Sequence, residues 1–397
     1  MRIADLALER LDLGRKVLPV GNNRARDRQR LRGGHVGSGI ARWRDQLEVQ
    51  LGPGRVVDFP DALYNPGMEH RFLGRTGVRV SAVALGTMAF GGDADEDTSR
   101  AIFRRCFDAG VNLYDCANVY NGGRSEALLG SFVRELRDDV VLTTKAYFPE
   151  RDAPNARGTS RYHLVRAVEA SLARLKTDRI DIFFLHRFDD VTDLEETLRG
   201  VELLVQQGKI LYPAASNFAA WQTMKAMGVA ASRGWAPLTC IQPMYNLVKR
   251  QAESELLPMA QAENLGVLNY SPLGGGLLTG KYGRSARPEQ GRLVDNPMYA
   301  TRYEARSNYA IAEDFTALAA EAGVHPVTLA IAWTRANPAI TAPLIGARNL
   351  EQLEPALAAA TYTVPADLKA KLDALSRAPA IATDRNEESS DANYGSR

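Results

Sequence analysis

Three apolar runs in this sequence each end in one polar side chain of a kind that can handle a proton. In the first, Leu113 and Asp115 stand two apart. In the second, Val141, Thr143 and Lys145 do, and in the third Ile182, Phe184 and His186. Side chains two apart on a strand share a face, so each polar residue continues a line of core residues to the C-terminal end of its strand. A lysine or an aspartate isolated there is costly unless paired, so Asp115 and Lys145 have a reason to meet. Tyr120 follows Asp115 in the loop DCANVYNGG, which can fold back over the strand ends. The set suits proton transfer to a carbonyl oxygen. A free phenol has a pKa near ~10, and a neighbouring ammonium lowers it. Asp115 would hold Lys145 in place and charged. His186 would be a neutral donor that aims the carbonyl. Taken singly, the tyrosine could be packing, the lysine a solvated rim residue, the aspartate a helix cap and the histidine structural. All four falling at consecutive strand-to-helix junctions favours the joint reading.

The elements that must position them alternate. FLGRTGVRVS, from Phe72, places two apolar pieces around an Arg-Thr-Gly turn and predicts a β-hairpin. Strands are predicted over 80–86, 111–117, 140–146, 180–186, 210–216, 240–245, 266–271 and 340–347. Amphipathic helices are predicted over 99–109, 125–136, 163–175, 194–207, 221–232, 254–263, 308–322 and 350–359. Eight strand–helix units imply parallel strands with right-handed crossovers and a (β/α)8 TIM barrel, whose sites lie at the C-terminal strand ends. A doubly wound open sheet is the alternative, since it alternates too. The connection 273–307 is too long for a plain turn and is expected to lie over the site. Gly274, Gly276 and Gly280 give GxGxxxG, too late in the chain and wrongly spaced for a Rossmann fingerprint. Trp221, Met224 and Met227 read as one face of a helix.

Composition closes off several classes. With 45% hydrophobic and 24% charged residues, the 397-residue chain has material for a large core. No apolar run reaches the ~18 residues a spanning helix needs, and the start lacks the apolar core of a secretion signal. Three scattered cysteines, Cys106, Cys116 and Cys240, fit a reducing cytoplasm and exclude a disulfide scaffold. The net charge of +2 hides an asymmetry: residues 1–67 carry 12 basic and 8 acidic side chains, the rest 37 and 39. The tract RARDRQRLR could suit nucleic acid. With no aromatic platform beside it, a solvated leader is the better reading, and no nucleic-acid or membrane partner is expected. The expected organisation is a poorly ordered leader over 1–67, a barrel over 68–376 and a polar tail over 377–397. Met68, where strong periodicity begins, could be the true start. No His/Asp cluster suggests a metal, which argues against a metal-assisted hydrolase.

These residues resemble the aldo-keto reductase family, over about residues 68–360. The carrying motifs are LGTMAFGG, YDCANVYNGGRSEALLG, LTTKAY, RIDIFFLHRFD, GKILYPAASNF, QPMYNL, YSPLGGGLLTGKY and IGARNLEQLEPAL. The resemblance implies a barrel closed below by the hairpin, and NADPH-dependent reduction of aldehydes or ketones. Asp115, Tyr120, Lys145 and His186 would be the catalytic four, with Tyr120 as the acid. It implies cofactor contacts from Gly86, Thr87, Met88 and Asp115. Ser216, Asn217 and Gln242 would hold the carboxamide, and Tyr270 would stack on the nicotinamide. Ser271, Leu273, Gly274 and Lys281 would follow the pyrophosphate, and Gly346, Arg348 and Gln352 would meet the adenosine end. Arg348, just before a helix, suits a 2′-phosphate, so NADP is expected over NAD. Pro355 and Ala356 stand where the family usually carries an acidic residue and an asparagine. The partner implied is a small carbonyl compound. A non-catalytic, cofactor-binding redox sensor on the same scaffold is the alternative.

Overall fold

The computed structural model describes residues 67–380. The leader, up to residue 66, and the tail beyond residue 380 lie outside the described residues, as does the question of where the native chain starts. The hairpin is present. Strands β1 (His70–Phe72) and β2 (Arg79–Ser81) pair antiparallel, with His70 opposite Ser81.

Eight further strands form one parallel sheet: β3 (Ala84–Gly86), β4 (Leu113–Asp115), β5 (Val141–Ala146), β6 (Ile180–Leu185), β7 (Ile210–Ser216), β8 (Cys240–Gln242), β9 (Gly266–Val267) and β10 (Leu344–Ile345). Their spatial order is β10-β3-β4-β5-β6-β7-β8-β9. The remaining seam is bridged by the Thr341 and Ala342 amides donating to the Val267 carbonyl, and the Leu344 amide to that of Asn269. The sheet therefore curls into the expected (β/α)8 fold. The predicted strand 80–86 divides: Arg79–Ser81 belongs to the hairpin and Ala84–Gly86 to the barrel.

Between strands run α1 (Glu96–Asp108), α2 (Arg124–Val133), α3 (Arg161–Leu175), α4 (Leu194–Gln206), α5 (Ala220–Arg233) and α6 (Leu256–Ala262). Later come the short α7 (Arg292–Asp295) and α8 (Pro297–Arg302), then α9 (Arg306–Glu321), α10 (Pro326–Arg335), α11 (Leu350–Ala358) and α12 (Ala366–Leu375). Side-chain caps start several of them: Asp95 accepts from the Thr98 amide, Ser160 from that of His163, and Asp193 from those of Glu195 and Glu196. Helix α10 was not expected. Every residue from Val327 to Thr334 is buried, so the segment carries no polar stripe for a periodicity to register. Helix α12, which buries Leu368 and Leu372, was also not expected.

Two apolar layers result. Leu113, Ile182, Phe184, Ala214, Cys240 and Leu268 fill the barrel interior, with Leu73 and Val80 of the hairpin plugging its lower end. The larger layer lies between strands and helices. Leu73 penetrates so far that a Cβ on Gly266 would lie 2.4 Å from its Cδ1. This floor leaves the C-terminal strand ends as the open face. No single helix is long and apolar enough to cross a membrane among the described residues.

Candidate active site

Register sets the first row of the site. Gly86 of β3 lies beside Asp115 of β4, and Asp115 beside Thr143 of β5. The Asp115 carboxylate receives three donors there: Lys145 Nζ at 2.6 Å, Thr143 Oγ1 at 2.6 Å and Gln242 Nε2 at 2.9 Å. Lys145 Nζ also donates to the Cys116 carbonyl at 2.7 Å. Both charges are sealed from solvent, with side-chain exposures of 0% for Lys145 and 2% for Asp115. The meeting of these two residues, argued from the cost of an isolated charge, is what the structure contains.

Tyr120 comes over the mouth because the chain turns sharply after it. Asn121, Gly122 and Gly123 have φ of 50°, 63° and 87°, the left-handed region that glycine enters freely and asparagine tolerates. Asn121 Nδ2 pins the turn to the Met88 and Phe90 carbonyls at 2.9 and 2.8 Å. Behind it, buried Glu126 accepts from Thr144 Oγ1 at 2.5 Å and Arg174 Nε at 2.7 Å. Arg174 reaches on to Glu150 at 3.0 Å, and Glu150 accepts from Asn118 Nδ2 at 2.5 Å. This network ties the tyrosine loop to the lysine strand. Sequence reasoning missed Glu126, Arg174 and Glu150, because nothing in their spacing marks three distant charges as partners.

Tyr120 and His186 meet edge to face, with ring centroids 6.2 Å apart, and Phe148 stands 5.1 Å from His186. Lys145 Nζ lies 5.2 Å from the centre of the Tyr120 ring. One expectation fails here. Lys145 was to lower the phenol's pKa. Instead burial, then the negative charge of Asp115, push it well above the usual value of 10. The ammonium is paired with Asp115, whose opposite charge offsets it at the phenol. Tyr120 thus holds its proton firmly in this state. The histidine expectation fares better. Burial, then the Lys145 charge, lower His186 to about 3, so its imidazole is neutral around pH 7. Its Nδ1 is buried without a partner, leaving Nε2 to face the cleft. A phenol and a neutral imidazole side by side can both donate to a single oxygen.

The cleft beyond them has a volume of about 1160 Å³. It brings together most of the residues expected to hold a dinucleotide: Gly86, Met88, Asp115, Ser216, Asn217, Gln242, Tyr270, Ser271, Leu273, Lys281, Gly346, Arg348 and Gln352. Two others do not line it. Thr87 is buried, and its hydroxyl donates to the Asp115 carbonyl at 3.0 Å. Gly274 is also buried, and Gly275 and Gly276 line the cleft in its place. Their φ values of 68° and 101°, and a Cβ on Gly275 that would stand 2.8 Å from Tyr299, explain why glycines occupy this bend.

The donor set fits a nicotinamide nucleotide. Ser216 and Gln242 are neighbours in register, and Ser216 Oγ donates to the Gln242 carbonyl at 2.9 Å. Asn217 donates to the His186 carbonyl at 2.9 Å and accepts from Tyr270 Oη at 2.8 Å, so Asn217 and Tyr270 are locked together. At the far end Arg348 precedes α11, its amide donating to Gln352 Oε1 at 3.2 Å, while its guanidinium pairs with Asp93 at 3.0 Å. Lys281 is lowered by burial and then by the Arg348 charge, with Asp295 opposing and Arg292 adding to the shift, so three cations and one carboxylate gather at this end of the cleft. Pro355 also lines the cleft, whereas Ala356 is buried in the core.

The Aldo/keto reductase family model matches residues 82–377. This chain belongs to the aldo/keto reductase family. "Uncharacterized oxidoreductase YrpG" of Bacillus subtilis (strain 168) is 38% identical over 312 residues, covering 76% of this chain and 94% of that protein. Proteins named "Probable voltage-gated potassium channel subunit beta" match too. The one from Oryza sativa subsp. japonica is 35% identical over 298 residues, and the one from Arabidopsis thaliana 34% over 299; each match covers 72% of this chain and 89% of the relative. Among the described residues no cluster of three metal-ligating side chains occurs.

Proposed function

We propose that this protein is an NADPH-dependent reductase of aldehydes or ketones, with Tyr120 as the general acid. The observation that carries the reading is the protonated Tyr120 phenol beside a neutral His186, above the buried Lys145–Asp115 pair. When bound, the reduced nicotinamide supplies the hydride to the carbonyl carbon. His186 Nε2 and Tyr120 Oη hold the carbonyl oxygen, and Tyr120 gives up its proton as negative charge develops there. Lys145 Nζ, 5.2 Å from the centre of the ring, offers a positive charge to the phenolate left behind, and Asp115 fixes its position. Ser216, Asn217 and Gln242 orient the carboxamide. Arg348, Lys281 and Arg292 supply positive charge for the phosphates, which supports NADP over NAD. The reaction needs no metal, and the expected setting is the cytoplasm.

NADPH oxidation followed with a panel of aldehydes and ketones tests this reading, and cofactor binding with no turnover on any of them would refute it. That outcome would favour the second reading, a cofactor-binding regulatory subunit. The plant relatives named as potassium channel β subunits support that alternative. The complete set of four side chains supports the enzyme.

A further inference from the structure

One ion cluster stands outside the cleft lining and yet reaches the tyrosine loop from two sides. At its centre is Arg174, in the last turn of α3. Its Nε donates to Glu126 of α2 at 2.7 Å, and its Nη1 and Nη2 reach the two oxygens of Glu150 at 3.0 and 3.4 Å. The Glu126 side chain is fully buried, and those of Arg174 and Glu150 are each 24% exposed. One guanidinium thus holds two carboxylates.

The segment that carries Tyr120 meets this cluster before and after the phenol. Before it, Asn118 Nδ2 donates to Glu150 at 2.5 Å. After it, Gly123 lies against the Arg174 stem, since a Cβ there would stand 2.7 Å from Arg174 Cδ. Gly123, with φ of 87°, is where the left-handed turn ends and α2 begins. Glu126 extends the cluster to β5, where it accepts from Thr144 Oγ1 beside Lys145. Helices α2 and α3 have a separate contact, because Gly130 seats against the Leu175 backbone. A buried ion cluster gains little stability over apolar packing of the same shape. What a guanidinium fork adds is direction, because it fixes where both carboxylates sit. A proton donor needs that direction, since a misplacement of about 1 Å can lower a rate about a hundredfold.

We propose that Arg174 is a positioning residue for the proton donor. It clamps the segment 118–123 at both ends and so holds the Tyr120 phenol beside His186, without touching substrate or cofactor itself. The inference rests on the reduction proposed above, in which Tyr120 is the acid. The effect of losing Arg174 then passes through the phenol.

The test is a double-mutant cycle read by single-turnover reduction of 4-nitrobenzaldehyde with NADPH bound. Arg174→Gln alone strands the buried Glu126 charge, so Glu126→Gln is made with it; the new amide oxygen still accepts from Thr144. This paired variant should reduce the aldehyde at least about tenfold more slowly, with NADPH affinity within about twofold of wild type. Arg174→Lys keeps the stem and one charge and should retain part of the rate. In a Tyr120→Phe background the same pair of changes should slow reduction by less than about twofold, because no phenol is left to misplace. Equal slowing in both backgrounds, an unchanged rate, or a loss confined to NADPH binding would overturn the proposal. If the wild type reduces no aldehyde, the reductase reading fails and the clamp is read without turnover. Amide hydrogen exchange across 118–123 should then quicken at least about tenfold in the paired variant, while β6 and β7 exchange as in wild type. Unchanged exchange in that segment, or faster exchange throughout, rejects the clamp.

Discussion

Replacing Lys145 with methionine separates two jobs that one buried side chain performs. The change keeps an apolar stem of similar length and removes a fully buried ammonium that donates to Asp115 at 2.6 Å. The carboxylate stays behind with Thr143 Oγ1 and Gln242 Nε2 as its remaining donors. Breaking a buried pair by removing one partner costs about 3–5 kcal/mol, and the two surviving donors place this case toward the lower figure. Adding Asp115→Asn removes the stranded charge but keeps an oxygen to accept from Thr143 and Gln242. The double variant should therefore regain about 2 kcal/mol or more over Lys145→Met, a coupling typical of groups in direct contact. Denaturant unfolding of the wild type, both single variants and the double variant measures this. The reduction rate should follow the same charge balance. Lys145→Met should lose about a hundredfold or more, because it leaves the Asp115 charge uncompensated beside the phenol, and the double variant should recover part of that loss as this charge goes. Strictly additive stabilities, or a double variant no faster than Lys145→Met, would refute the reasoning.

Other consequences follow from the same coordinates. Because burial holds His186 to about 3, kcat/KM for reduction should show no break near pH 6.5; an acid limb centred there would mean the imidazole is charged in the working enzyme. The same shift acts on stability. Between pH 6.5 and about 3 the unfolded state takes up the proton that folded His186 refuses, so stability falls as pH drops through this window. Acid unfolding of His186→Gln should accordingly be less steep than that of the wild type. Gly130→Ala should lower stability by roughly 1–3 kcal/mol or more, because its Cβ would stand 2.3 Å from the Leu175 carbonyl oxygen where α2 crosses α3; an unchanged Tm would show that the helices can part. Asp93→Asn frees the Arg348 guanidinium from an exposed pair worth about 1 kcal/mol at most, so folding should barely change while NADPH binds more tightly; weaker NADPH binding would contradict the 2′-phosphate role.

Much of the site was legible because strand parity is a strict rule. Residues 113 and 115, or 143 and 145, cannot share a face without the second lying further along the strand, so polar ends of apolar runs point to the open mouth. The hairpin was readable from its turn, and the barrel from eight alternations. Three kinds of feature were not. Helix α10 is buried on every side from Val327 to Thr334 and shows no period. The charges that tie Glu126, Arg174 and Glu150 together sit on three elements, and their partnership is a property of packing alone. The direction of the Tyr120 shift depended on how deeply the phenol is buried and on the Asp115 charge that offsets Lys145 beside it, and the sequence holds neither depth nor distance.

The central claim is that the phenol of Tyr120 delivers the proton to the carbonyl oxygen. Single-turnover oxidation of bound NADPH by the Tyr120→Phe variant, with a saturating aldehyde, tests it most directly. NADPH affinity should stay within about twofold of wild type and the reduction rate should fall at least about a hundredfold, the span of a lost general acid. A rate within a few-fold of wild type at full cofactor occupancy would contradict it.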